Sequence, residues 1–375
     1  MAAYGLYTHI AANRFRSAVL LGGLFVLIYV MVFAGALVAE AIGAGDVPAQ
    51  VLIAAAARDL IHALPLSTVG AVAWIAIAYF FHQTLIDAVT GGRDVTRQDQ
   101  PRLYNLLENL CISRGLPMPK LKVVDSDALN AFATGLNARQ YAVTVTSGLL
   151  QALNDQEIEA VLGHELTHIR NGDVQLMVIA MVIAGVVGFF AELFFRLVFN
   201  SGFRFGGGDN RRKGGGAVVV LLLAVALIAL AWLLSLVVRL ALSRSREFLA
   251  DAGSVELTKN PDAMISALRK IENRGELPGA TSAVMEMCLD NPREGFADLF
   301  ATHPSIDSRV KALVRFAGGR DPGPLSIAPP EPAPDTAGAP ALPPQTAPEG
   351  PWGSSGAAPS PDGPWTEPRG PWGQH

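Results

Sequence analysis

His164, Glu165 and His168 have the types and spacing of a metal site. Histidines four apart on a helix leave from the same face, so both imidazoles can grip one ion. Glu165, one position round, can reach a water on that ion. Neutral imidazoles suit zinc, and two ligands one turn apart leave room for a third ligand and a water. The His-Glu-x-x-His pattern is that of hydrolytic chemistry at zinc. The competing reading is a helix with a satisfied histidine pair on its surface.

The helix that must carry them is predicted over residues 154–173. Asn154 can cap it, and Glu157 sits three residues on, as in a capping box. Ile158, Val161, Leu162, Leu166 and Ile169 recur at helical spacing and give one apolar face. Asn171-Gly172 loosens the far end.

A third ligand is needed. Residues 243–251, Ser-Arg-Ser-Arg-Glu-Phe-Leu-Ala-Asp, read as helical, with Glu247 and Asp251 four apart on one face. Glu247 suits the third position. Asp251 can then hydrogen-bond a ligand histidine and fix its tautomer. The alternative is a solvated charged face with Arg244 and Arg246. His303 lies in Phe300-Ala-Thr-His-Pro-Ser-Ile-Asp-Ser-Arg309. A histidine there could donate to the oxyanion of a tetrahedral intermediate, or cap a helix starting near Pro304.

Half of the 375 residues are hydrophobic and only 17% are charged. Such a chain has a very large core or sits in a membrane. The net charge of −4 and the lack of a basic tract argue against nucleic acid as a partner. Cys111 and Cys288 are isolated, with no disulfide framework.

Uncharged runs at Ser17–Ala39, Ala63–Ile86, Val174–Ala191 and Ala217–Val238 are each close to the ~20 residues of a membrane span. The first is too long for a signal-peptide core, although Ala39-Glu40-Ala41 keeps a cleavage site in play. Residues 44–62 read as a separate half-apolar helix at the interface. Arg14 and Arg16, with Arg93, Arg97 and Arg102, place the N-terminus and residues 91 onward in the cytoplasm. The basic, Gly-rich loop 201–216 then lies outside, against that bias, unless the second hairpin does not fully cross. The organisation is a membrane hairpin over 1–90, a first catalytic part over 91–173, a second hydrophobic hairpin over 174–242, a second catalytic part over 243–317, and a disordered tail over 318–375. Leu121–Val124 and Tyr141–Thr146 read as strands. The latter could pair with an extended substrate at its edge, or be an ordinary hairpin strand packed on the helix. Pro and Gly dominate the tail, and Gly-Pro-Trp recurs at 350–352, 363–365 and 370–372, a docking motif for an unknown partner or a sticky repeat.

His164-Glu-Leu-Thr-His168, a hydrophobic hairpin, then Ser-Arg-x-Arg-Glu-x-x-Ala-Asp resembles the HtpX-type membrane metalloproteases, bacterial relatives of the CAAX prenyl protease. Asn130-Ala-Phe-Ala-Thr-Gly135 and Thr302-His-Pro304 extend the match over about residues 1–316. The resemblance implies a mainly α integral membrane protein with about four hydrophobic helices, an α+β zincin-like metalloprotease domain and an inner-membrane location facing the cytoplasm. It implies one zinc on His164, His168 and Glu247, catalysis by Glu165, Asp251 behind the ligands, and the Asn130 segment beside the substrate cleft. Damaged or unfolded membrane proteins would be the substrates, cut in the lipid bilayer's vicinity as quality control. The rivals are a CAAX-type prenyl-peptide protease, which would need more spans, and a non-catalytic scaffold holding zinc with His303 as a fourth ligand.

Overall fold

The computed structural model describes residues 2–43, 47–200, 215–240, 245–291 and 303–323. They belong to one compact unit, Met1–Ile327. The Gly-Pro-Trp repeats, Arg244 and most of the basic loop lie outside the described residues.

Two helices of 42 residues, α1 (Ala2–Gly43) and α2 (Ala49–Thr90), open the chain. Each is about 63 Å long, twice the ~30 Å of a bilayer core. The expected separate helix at 44–62 is corrected, because α2 runs unbroken from Ala49 through Pro65 to Thr90. Leu52 and Ala56 are buried in one cluster with Leu37, Val38 and Ala41 of α1 and with Val220 and Ala224 of α7 (Gly215–Leu240). That packing continues the helix where the charges suggested a break. A second cluster joins Leu24, Leu27, Ile28 and Met31 of α1 to Ala71 of α2 and to Ile183, Val186 and Val187 of α6 (Asp173–Asn200).

Among the described residues three stretches are long and apolar enough to cross a membrane: Ile10–Ile42, Ala49–Thr90 and Asp173–Phe190. The apolar stretch of α7 described there, Val218–Ala231, is shorter.

Between the hairpins lies a four-stranded sheet in the order β1-β2-β4-β3. Its strands are β1 (Arg93–Asp94), β2 (Lys120–Val124), β3 (Ala131–Thr134) and β4 (Ala142–Thr146). β4 runs parallel to β2 and antiparallel to β3. This corrects the idea that 141–146 offers an edge to a substrate, since β4 is paired on both sides. The neighbouring edge strand β3 is itself buried along its whole length and bridged from Phe132 to Cys288.

Helix α3 (Pro101–Arg114) packs Leu103, Leu107 and Leu110 into the core, and α4 (Ser147–Ala152) leads to the central helix α5 (Asp155–Asn171). Its capping box is present: Glu157 N–H donates to Asn154 Oδ1 at 3.0 Å, and Asn154 N–H to Glu157 Oε2 at 2.8 Å. Gly172 ends α5 at φ 74°, in the left-handed conformation that glycine adopts without strain. Then α6 begins at once. Helix α8 (Ser245–Thr258) crosses α5 closely. A Cβ on Gly253 would lie 3.0 Å from Thr167 Cβ, and one on Gly163 would lie 3.3 Å from Ser254 Oγ. The missing side chains let the two backbones approach. Behind them lie α9 (Pro261–Ile271), α10 (Ser282–Met285) and α11 (Ile306–Ala317).

Candidate metal centre

The α5–α8 crossing brings Glu247 of α8 to His164 and His168 of α5. His164 Nε2 and His168 Nε2 are 3.1 Å apart. Glu247 places Oε2 3.4 Å from His164 Nε2 and Oε1 3.7 Å from His168 Nε2. A tetrahedral ion with bonds of about 2.0–2.1 Å separates its ligands by about 3.3–3.4 Å, so this spacing suits one. All three residues are buried. Glu247 Oε2 is buried with no hydrogen-bond partner. Arg309 Nη1 stands 3.8 Å from that oxygen but donates its hydrogen bond to Leu289 O, and two imidazoles with a carboxylate are a donor set that fits a divalent metal.

Each imidazole is oriented from behind. His164 Nδ1 lies 2.9 Å from Asp251 Oδ1, and His168 Nδ1 lies 3.0 Å from Asp173 Oδ2. A proton on each Nδ1 leaves both Nε2 lone pairs facing the site. Asp173 had no part in the sequence reading. The signal was present, since a left-handed Gly172 turns the chain back and brings the next residue to the last turn of α5.

Asp251 is in turn gripped by Arg309 of α11, which also donates through Nη1 to Leu289 O at 3.0 Å. In the sequence Arg309 was only the last letter of a motif. Arg246 departs from the solvated-face alternative. It is 3% exposed and its Nε donates to Glu247 Oε1 at 3.1 Å. His303 sits beside the third ligand, with Nδ1 3.7 Å from Glu247 Oε1 and Nε2 3.1 Å from Glu286 O. It does not cap α11, because Ser305 does so by accepting from Ser308 N–H.

Asn130 is fully buried, so its side chain does not face a cleft. Its Nδ2 donates to Gly275 O at 2.6 Å and to Asp290 O at 2.8 Å, while Oδ1 accepts from Leu289 N–H at 2.9 Å. It fastens the start of β3 to the 275–290 segment.

Burial raises the Glu165 carboxyl above the ordinary range, partly offset by His164 and His168. Burial alone would lower His168, but the Glu247 carboxylate and Asp173 outweigh it and push the imidazole up to about 10. Burial opposes the charge on Glu247, yet His168 and His303 hold it well below the usual carboxylate range. Asp251 is likewise held low against its burial, by Arg309.

Two helix-borne histidines, a helix-borne glutamate and apolar helices long enough to span a bilayer define a membrane metallopeptidase. The chain belongs to Peptidase family M48, whose profile matches residues 97–317. It is 38% identical to a protease HtpX homolog of Bacteroides fragilis over 264 residues, 68% of this chain and 81% of that one. It is 35% identical to a protease HtpX homolog of Lactobacillus helveticus over 82% of this chain and 99% of that one. With a homolog of the same name from Streptococcus pneumoniae the identity is 36%, over the same shares. A structural comparison gives the crystal structure of S. mikatae Ste24p at a TM-score of 0.40 and 20% identity, covering 68% of this chain. The match spans 58% of that chain, under two thirds of its length.

Proposed function

We propose that His164, His168 and Glu247 hold one zinc ion and that Glu165 is the general base of peptide-bond hydrolysis. The observation that carries this is the convergence of three buried donor atoms on one point, with Glu247 Oε2 making no hydrogen bond. Zinc, when bound there, supplies the Lewis acidity that acidifies water and polarises a carbonyl. Glu165 stands on the same turn of α5, between the two histidines. Its raised proton affinity brings it nearer to neutrality, where a general base works best. It takes the proton of the attacking water and returns it to the leaving amine. Asp251 and Asp173 keep the imidazoles in one tautomer through that exchange. We assign His303 to holding Glu247, since its Nε2 is engaged with Glu286 O.

We place the enzyme in the bacterial inner membrane with the site facing the cytoplasm. Arg14, Arg16, Arg93, Arg97 and Arg102 on one side of the first hairpin support that orientation. Its substrates are proposed to be unfolded or damaged segments of membrane proteins. Support comes from the single residue, Gly172, between the histidine helix and a membrane-spanning helix.

The test compares wild type with Glu165→Gln in detergent, following cleavage of an unfolded membrane protein and bound zinc together. The expected result is full zinc occupancy with cleavage reduced at least about 100-fold. A Glu165→Gln protein that cleaves as wild type does removes Glu165 from the chemistry.

A further inference from the structure

We propose that Asn13, in the first membrane helix, is a positioning residue for the metal centre, acting through Asp173 on His168. This rests on His168 being a ligand, as proposed above.

Asn13 is 2% exposed on α1, beside Arg14 and within the apolar stretch Ile10–Ile42. Its amide Nδ2 donates to Asp173 Oδ1 at 2.6 Å and to Asn171 O at 3.3 Å. The other oxygen of Asp173, Oδ2, meets His168 Nδ1 at 3.0 Å. One amide therefore holds both the carboxylate behind the ligand and a carbonyl at the C-terminal end of the histidine helix. Partners behind a metal ligand fix its tautomer and ring angle, and losing one typically weakens metal binding about 10–100-fold. The Asn13 amide on Oδ1 helps to hold the carboxylate so that Oδ2 meets the imidazole in one direction.

Asn13 lies 160 positions before Asp173 and has no place in the His-Glu-x-x-His pattern. Leu20, two turns further along α1, packs against the same core that contains α5. The first helix is thus docked on the catalytic body beside the contact. It follows that the first helix completes the metal site as well as anchoring the chain. An ordinary interhelical hydrogen bond would give the same distances, and the two roles separate by measurement.

The experiment uses full-length protein in detergent and reads the zinc dissociation constant by chelator competition, with melting of the metal-free protein alongside. The variants are Asn13→Leu, Asn13→Asp, Asp173→Ala, and Asn13→Leu with Asp173→Ala. Asn13→Asp keeps the shape of the side chain but sets a second carboxyl against Asp173, and melting of the metal-free protein reports whether each variant folds. Tyr29→Phe is the control, since Tyr29 makes a polar contact with Thr68 elsewhere in the membrane hairpin. We expect Asn13→Leu and Asn13→Asp to weaken zinc about tenfold or more, and Tyr29→Phe to leave it unchanged. In the Asp173→Ala background Asn13→Leu should cause no further loss, because its route to His168 is already cut. Zinc affinity within about twofold of wild type in both Asn13 variants overturns the proposal, as does an undiminished Asn13→Leu loss without Asp173. A His168→Ala protein that binds zinc like wild type overturns the ligand assignment, and the proposal with it.

Discussion

Arg309 holds Asp251 by two parallel hydrogen bonds, from Nε to Oδ2 at 2.9 Å and from Nη2 to Oδ1 at 2.6 Å. Such a fork fixes direction as well as charge. Asp251 Oδ1 also faces His164 Nδ1 at 2.9 Å, so a guanidinium on α11 sets the ring angle of an imidazole on α5. Neither partner of the pair is more than 2% exposed.

Removing one member of a buried ion pair leaves the other charge unpaired. We predict that Arg309→Met lowers folding stability by about 3–5 kcal/mol, read by denaturant titration in detergent. Arg309→Lys keeps the charge, loses the fork, and should fall between. A loss below about 1 kcal/mol in Arg309→Met would show that the pair does not hold α11 in place.

The α5–α8 crossing depends on two glycines unequally. A Cβ on Gly253 would penetrate the Thr167 side chain, whereas on Gly163 its nearest contact would be the Ser254 hydroxyl at 3.3 Å. We predict that Gly253→Ala loses zinc affinity and melts lower, by the equivalent of about 1–3 kcal/mol, while Gly163→Ala is milder. Equal effects would mean that the close approach of the helices does not depend on Gly253 more than on Gly163.

In the metal-free protein His168 is raised from 6.5 to about 10. A raised histidine contributes stability that is full below its unfolded value and lost as pH rises through its folded value. For His168 that loss runs from about pH 6.5 to about 10. Glu247 and Asp251 are lowered, so their contributions are full above about pH 4.5 and lost as pH falls through their folded values. Ligands must be deprotonated to bind metal, so zinc uptake at pH 7 should release about one proton. Calorimetry in buffers of different ionisation enthalpy counts it. Zero release would place the His168 proton elsewhere.

Asn130→Ala should loosen the 275–290 segment, since it removes one of the two acceptors of Leu289 N–H and the donor to Gly275 O and Asp290 O. Limited proteolysis is expected to cut there much faster than in wild type, with stability down by about 2–4 kcal/mol. Unchanged protease resistance would remove this role from Asn130.

Helical spacing puts His164, Glu165 and His168 on one turn and Glu247 with Asp251 on one face, but it was the resemblance to HtpX-type metalloproteases that joined the two. The capping box at Asn154 and the left-handed Gly172 were legible because they are local. What escaped was long-range. Asn13 meets Asp173 across 160 positions, and Arg309 meets Asp251 across 58. No periodicity reports such pairs. The strand at 142–146 was recognised, but its central place was not, because pairing order is set by the crossover from β2 to β4. The break expected within 44–62 failed likewise. Arg58 and Asp59 signalled solvent, while Leu52 and Ala56 had partners on α1 and α7 that a local window does not see.

Helix α5 passes into α6 through Gly172 alone. A hinge of one residue gives the cutting site no tether on which to roam. For the bilayer-borne substrates proposed above, the encounter rate then follows substrate per unit of membrane area. Adding empty lipid at constant protein should slow cleavage of such a substrate, whereas diluting the same vesicles in buffer should not.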